Sequence, residues 1–300
     1  VNAPVHPPPA GNPRGGKSFS AANERLGSAF ILTDILILTA ASMIVKAGGA
    51  SYPVFQLLFI RALVGFLIIL PGTPREVWRE VPHPANARMH ALRVLMGILA
   101  LSTNYAAITL LPLALAVTLS FLRPLAMLAA AALLLGERVT RVGWMAGVLG
   151  FSGVLIAAEP GGGATWAGIG VALLNVVFGT LAVTTVRKLA DASRPLMMIY
   201  YTLGLTVFSA PIALAGWVPV RWQDWPMLIA LGCLSQAGQY CFLRAHQLAS
   251  TQRLATLGYL YIVTSGVAGY LVFAEVPSLR MVAGGAVIVG AALLATRAEG

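Results

Sequence analysis

The sequence predicts an all-α membrane protein in which ten transmembrane helices form two inverted five-helix repeats, with both termini in the cytoplasm. Three observations predict it: a composition too apolar for a soluble domain of this size, an internal repeat, and a one-sided distribution of basic residues. Of 300 residues, 58% are hydrophobic and 10% charged. Uncharged runs such as Pro160–Val186 and Pro195–Val220 are long enough, as helices, to cross ~30 Å of hydrocarbon. A lipid-exposed backbone must satisfy its own hydrogen bonds, which makes such spans helical. The short alternating strands of a β-barrel are not visible.

The repeat is read directly from residues. Thr118-Leu-Ser-Phe-Leu122 returns as Thr256-Leu-Gly-Tyr-Leu260, about 138 residues later, and the same offset brings Glu137 onto Glu275 and Gly147 onto Gly285. Five apolar spans separate the copies, and an odd number of crossings turns the second copy upside down. Inverted repeats characterise carriers whose substrate site lies between the halves near the bilayer midplane. Transport is therefore the first functional expectation.

In order, the predicted spans are roughly 26–47, 52–71, 91–110, 113–135, 141–158, 164–187, 195–216, 226–245, 251–273 and 279–296. The first five make one repeat (residues 26–158) and the last five the other (159–300). With the N-terminus inside, fifteen of the twenty Lys and Arg fall on the cytoplasmic side, in loops, tails or span ends (Arg93 among the last), and Lys46, Arg221 and Arg280 fall on the outer side. Arg61 and Arg123 lie within spans. This asymmetry sets the orientation and accounts for the net charge of +10, so nucleic acid is not an expected partner. Trp166, Trp217, Trp222 and Trp225 fall at the predicted outer interface, as an aromatic belt requires. Residues 1–25 are rich in Pro, Gly and Asn without an apolar core; they read as a disordered cytoplasmic tail, neither signal peptide nor span.

Several function classes fall away. Cys233 and Cys241 share one predicted helix, ~12 Å apart by helical rise, beyond disulfide reach. His6, His83, His90 and His246 lie in the tail or at predicted cytoplasmic helix ends, and no metal-ligand spacing occurs. Convergent nucleophile, acid–base or metal groups are missing, which argues against an enzyme. A filter-like loop or charged ring, as in channels, is also missing. No cofactor is expected. The expected partners are a small-molecule substrate and the lipid bilayer, with no obligate protein partner evident.

The stretch Leu119-Ser-Phe-Leu-Arg-Pro124, followed by Leu133-Leu-Leu-Gly-Glu137-Arg-Val-Thr140 and Gly147-Val-Leu-Gly-Phe-Ser-Gly153, resembles the EamA repeat of the drug/metabolite transporter superfamily. Phe273-Ala-Glu275-Val-Pro277-Ser through Gly284-Gly285 to Gly290 looks like the same motif in the second copy. Phe59-Ile-Arg61-Ala is similar to that family's arginine signature. The resemblance covers nearly the whole chain from about residue 26. It implies ten helices in two inverted repeats, and export of metabolites or drugs across the bacterial inner membrane. Within the superfamily the chain looks most like the YddG-type amino-acid exporters. The second repeat departs from the first, with Leu203 or Gly204 where Arg61 would fall and Tyr261-Ile262 in place of Arg123-Pro124. The halves are thus chemically unequal.

Polar residues inside spans supply the candidate site. Asp34 is the acid that lies well inside a span, and its repeat mate is Asn175. By helical rise, Asp34 is ~12 Å deep, and Arg61 and Arg123 are ~14–15 Å from the opposite ends of their helices. The three charges therefore share one depth near the midplane. Ionisable groups there cost ~2.5–3.5 kcal/mol or more, and normally face a polar cavity or a partner. In one reading they form an electropositive pocket, with guanidiniums for a substrate carboxylate and Asp34 for an amine or a coupling proton. In the other, Asp34 pairs permanently with an arginine and only locks helices together. Lys46 either attracts anions at the outer mouth or snorkels to the interface.

Asn104, Tyr105, Tyr201, Tyr259 and Tyr261 are further cavity candidates, since a buried phenol combines an apolar face with a group that needs a hydrogen-bond partner. Gln236, Gln239 and Tyr240 join them on neighbouring faces of the eighth span, with interhelical polar contact as the competing reading. Pro124 marks a bend or gating point. Glu137 and Glu275 read as local caps, and Gly143, Gly147, Gly150 and Gly153 with Gly284, Gly285 and Gly290 read as close-packing scaffold. Together these residues suit a carrier exporting amino acids, aromatic or otherwise amphipathic, by alternating access. The rival reading is proton-coupled efflux of lipophilic or cationic drugs with Asp34 as the coupling site; Arg61 and Arg123 oppose it, because they repel a cation.

Overall fold

The computed structural model describes residues 21–80, 87–123, 125–126, 141–157, 165–188, 194–249, 254 and 257–298. Among them are eleven α-helices and no strand. They are α1 (Ala21–Gly49), α2 (Val54–Ile69), α3 (Arg75–Glu80), α4 (Ala87–Leu110), α5 (Leu113–Ser120), α6 (Arg141–Ala157), α7 (Trp166–Lys188), α8 (Arg194–Ala215), α9 (Trp225–Leu248), α10 (Leu260–Phe273) and α11 (Leu279–Ala298). The predicted tail, except for its last five residues, lies outside the described residues, as do Pro124 and Glu137. Residues 21–25 already belong to α1, where Glu24 in the first turn complements the helix dipole.

Three stretches, Ala22–Gly49, Ala87–Leu110 and Met198–Ala215, are long and apolar enough to cross a bilayer, and five shorter apolar helices accompany them. Large apolar side chains cover the outside of the bundle, among them Val148, Phe208 and Leu271, while Gln56, Asn175 and Ser265 are buried. A bundle apolar on its outer surface and polar at chosen interior points suits lipid as its solvent. Helix α3 was not foreseen; its Val77 is buried against Leu196 and Ile199 of α8, so this amphipathic turn tucks under the bundle between two spans.

The repeat is visible in the element boundaries. Helix α9 starts and ends 138 residues after α4, and α11 starts 138 residues after α6. The inversion is visible in the packing. Near the start of α1, a Cβ on Gly27 would meet Ala249, just past the end of α9, at 2.6 Å. At the opposite end, a Cβ on Gly168 in the first turn of α7 would sit 2.6 Å from Leu111, which follows α4. Helix α7 therefore runs antiparallel to α1, its repeat mate. The most extensive interfaces include α1 on α9 and α4 on α7, which the repeat makes equivalent, and the self-equivalent pair α6 on α11.

Glycines at specific points allow the α6–α11 contact. A Cβ on Gly153 would lie 2.8 Å from the carbonyl oxygen of Gly284, and one on Gly284 would lie 2.5 Å from the backbone nitrogen of Ala157. Gly147 and Gly290, expected in the same seam, meet nothing within 4 Å and point away from it. Helices α5 and α10 are both interrupted at one repeat-related place. Phe121 and Leu122 form a tight turn after α5, and Tyr259, their counterpart, forms a turn before α10. The rings of Phe121 and Tyr259 stack at 5.2 Å, joining the two interruptions across the repeat boundary.

The segment after α8 is pinned to the start of α2. The Gln56 amide donates to Val218 O (2.8 Å) and accepts from Val218 N–H (3.0 Å). Tyr52 donates to Asp224, and with Arg221 this holds the Asp224 carboxyl below its ordinary pKa. A Gly153→Val substitution is expected to destabilise by about 1–3 kcal/mol through overpacking, seen as a lower Tm in detergent. Gly290→Ala should leave Tm within experimental scatter.

Candidate functional site

Helices α1, α2, α4 and α9 enclose a cavity of about 290 Å³ lined by Asp34, Arg61, Asn104, Tyr105, Ser235 and Gln239, among others. A second, of about 430 Å³, is lined by Arg93, Arg123, Asn175, Tyr201 and Tyr261, again with Gln239 and Asn104. Leu38, Leu101, Asn104, Gln239 and Phe242 border both, so these are two lobes of one central space. Arg93 and Tyr201 lie about two turns from the starts of α4 and α8, and Ala182 about two turns from the end of α7. The second lobe therefore extends toward that end of the bundle.

Repeat mates face one another across this space. At the offset of 138 Leu101 answers Gln239, Asn104 answers Phe242 and Arg123 answers Tyr261; at 141, Leu38 answers Gly179 and Asp34 answers Asn175. The cavity straddles the internal symmetry, but its charges do not obey it.

Asp34, Arg61 and Arg123 form no ion pair among the described residues. A permanent Asp–Arg lock is therefore not what the structure contains. Arg61 donates from Nε to Ser235 Oγ (2.7 Å), and its guanidinium carbon lies 5.9 Å from the centre of the Tyr105 ring. Arg123 donates from Nη2 to Asn175 Oδ1 (3.1 Å), while the Asn175 amide donates to Ala100 O (2.6 Å). Both arginines thus have neutral partners. Nη1 of Arg61 and Nε of Arg123 are buried with no acceptor among the described residues. Buried donors left unmet are costly and mark where an anionic group fits.

Glycines admit these side chains. A Cβ on Gly179 would sit 2.8 Å from Arg123 Nε, and one on Gly97 would sit 2.5 Å from the Tyr201 ring. Tyr261 shares a 2.7 Å hydrogen bond with Ser42 of α1. Arg93, counted from sequence among the basic residues of the cytoplasmic side, lines the second lobe 5.6 Å from the Tyr201 ring centre. It was missed because it is the third residue of the predicted span, whereas α4 begins at Ala87, four residues earlier, and so carries Arg93 a turn deeper. Ser235, Ser42 and Gly179 carried no sequence signal, since their roles depend on which residue they face.

Four expected cavity residues lie elsewhere. Gln236 packs on Gly65 of α2. Tyr240 is 56% exposed and edge-on to Phe30, on the outer surface of the bundle. Tyr259 stacks on Phe121 and borders a separate apolar pocket. Lys46 neither snorkels nor lines the central space: its Nζ pairs with Glu275 at 2.5 Å and donates to Leu111 O at 2.6 Å. Glu275 is likewise no local cap of its own turn. Its second carboxylate oxygen accepts the Leu113 N–H at 2.7 Å, capping α5 from the other repeat. The cap is needed because the residue before Leu113 is Pro112, which offers no side-chain acceptor. His90, in the first turn of α4, is buried there and stacks on Tyr200 at 4.7 Å.

The Lys46–Glu275 pair is only 14% and 20% exposed. Glu275→Gln is expected to cost about 1.5–3 kcal/mol, the range for hydrogen bonds to charged groups, measured as Tm. Exchanging the two residues should restore part of that loss. It recreates the ion pair but leaves the Leu113 N–H without its acceptor.

Comparison with known proteins agrees with this architecture. The EamA-like transporter family matches twice, over residues 25–158 and 166–297. The pseudopaline exporter CntI of Pseudomonas aeruginosa is 28% identical over 262 residues, covering 85% of this chain and 90% of that one. The S-adenosylmethionine uptake transporter of Rickettsia prowazekii is 23% identical over 274 residues, covering 91% and 93%. The riboflavin transporter of Vibrio cholerae is 24% identical over 277 residues, covering 88% and 90%. A protein of known crystal structure shares the fold, with a TM-score of 0.59 and 22% identity over 90% of this chain and 96% of that one. Carriers of small molecules thus surround this sequence, and the two matched repeats span nearly all of it: the chain belongs to the EamA-like transporter family.

Proposed function

We propose that this protein is an inner-membrane carrier that exports amino acids, or closely related amphoteric metabolites, by alternating access. In this reading ten helices cross the bilayer as two repeats, residues 26–158 and 159–300, with both termini in the cytoplasm. The observation that carries it is the central space itself, where Asp34 and the guanidiniums of Arg61, Arg93 and Arg123 line connected lobes. A carboxylate is the natural acceptor for a guanidinium fork, and an ammonium is the natural partner of Asp34. Tyr105, Tyr201, Tyr261 and Phe242 supply apolar walls for a side chain.

The relatives carry pseudopaline, S-adenosylmethionine and riboflavin, by their names, so the family tolerates many substrates and the cavity must supply the specificity. Cationic drugs fit it poorly, because the guanidiniums outnumber the carboxylate. Alternating access draws support from the inverted repeats and the interrupted helices α5 and α10, features of rocking carriers. The Lys46–Glu275 pair ties the two halves together at the predicted outer end and would have to break for that end to open.

Uptake of labelled amino acids into proteoliposomes, with and without a proton gradient, tests the reading. Saturable entry is expected, with at least a tenfold loss in Arg123→Ala, on the order of the cost of one charged hydrogen bond. Retained or improved uptake of a lipophilic cation by the same variant, with no amino-acid entry in the wild type, would instead assign the protein to drug efflux.

A further inference from the structure

We infer that the preferred substrate is an α-amino acid bearing a second carboxylate, an amino dicarboxylate. The inference rests on the amino-acid carrier reading and narrows it. It begins from charge. The two lobes hold three guanidiniums and one carboxylate, and neither Arg61 nor Arg123 has an acidic partner among the described residues. Their hydrogen-bond acceptors are a hydroxyl and a side-chain amide, which leave the positive charge uncompensated in a medium of low dielectric. A monocarboxylic zwitterion would neutralise Asp34 through its ammonium and one arginine through its carboxylate. The other arginine would stay buried with an unmet donor, at a cost.

The placement of the two arginines strengthens the case. Arg61 borders the lobe that contains Asp34, and Arg123 borders the other. An α-amino-carboxylate head therefore fits the first lobe, with its ammonium on Asp34 and its carboxylate on Arg61. The border between the lobes carries Leu38, Leu101 and Phe242, which suit methylenes. A side-chain carboxylate passing that border reaches Arg123, whose guanidinium lies flush against Gly179 and is steadied by Asn175. Nothing in the second repeat duplicates this set, since Tyr261 stands where a second Arg123 would be, so the site reads one orientation of an unsymmetrical diacid.

The test compares matched pairs in proteoliposomes containing the full-length protein: 2-aminoadipate against norleucine, and glutamate against norvaline. Within each pair a carboxylate is replaced by a methyl group at nearly equal length. Wild type is expected to favour the diacid by about tenfold or more in competition against a labelled member of the pair, in keeping with the 10⁴–10⁵ discrimination reached by fully polar sites as an upper bound. Arg123→Gln should bring the ratio close to one. Thermal shift of the purified protein with each compound reports binding independently of vesicle reconstitution, and should show the same ranking. Equal handling of diacid and methyl analogue in the wild type overturns the inference while leaving the amino-acid carrier reading intact. A preference that survives in Arg123→Gln also overturns it, because the second carboxylate is then read elsewhere. If no member of either pair enters or shifts Tm, the inference falls, and the amino-acid carrier reading is then decided by the wider set of labelled amino acids.

Discussion

An arginine brought into the middle of an apolar bundle, with no acid beside it among the described residues, is the constraint around which this interior is organised. Arg123 lies just beyond the break that ends α5, and its guanidinium is accommodated by three arrangements at once. Asn175 accepts one of its hydrogen bonds, Gly179 leaves room for its plane, and the cavity borders what remains. Asn175 is itself held by the Ala100 carbonyl, so the same contact joins α7 to α4. The α4–α7 interface thus both builds the bundle and sets the charge in place. A buried cation with neutral partners is tolerated only where water or a ligand can reach it, which links its presence to the cavity.

Scaffold and chemistry follow different rules in the two repeats. The elements that hold the halves together keep the symmetry: α6 and α11 touch through Gly153 and Gly284, and Phe121 stacks on its mate Tyr259. The residues lining the cavity abandon it. Aspartate faces asparagine's position, arginine faces tyrosine's, and leucine faces glutamine's. Symmetric packing gives two interchangeable arrangements of helices, whereas a substrate that is itself unsymmetrical needs unequal partners on its two sides.

Lys46, Glu275 and the start of α5 form the other polar cluster of consequence. The ion pair crosses the repeat boundary, and the same carboxylate caps a helix in the opposite half. Because two interactions converge on one side chain in a partly buried setting, separating the halves at this end loses both together. The cluster sits at the far end from the lobe bordered by Arg93, so polar contact joins the halves at one end of the bundle while the cavity extends toward the other.

Helix content, the repeat, its offset and the family were legible in the residues, because apolar run length and self-similarity are properties of the chain in one dimension. So was the gathering of Asp34, Arg61 and Arg123 around one central space, since helical rise converts position into distance along each helix. What needed the tertiary structure was azimuth and partnership. Gln236, Gln239 and Tyr240 share one helix, yet only Gln239 turns to the cavity; a rotation of 100° per residue separates them, and only packing against α1 and α2 decides which way α9 is turned. Lys46 and Glu275 are more than two hundred residues apart, and no local pattern predicts that they meet. Arg93 passed for a span-end residue because a four-residue shift in a helix start moves a charge by one turn, from the rim to the interior. Identity and position along each helix were thus settled along the chain, while facing and pairing were settled between helices, where side chains distant in sequence compete for the same space.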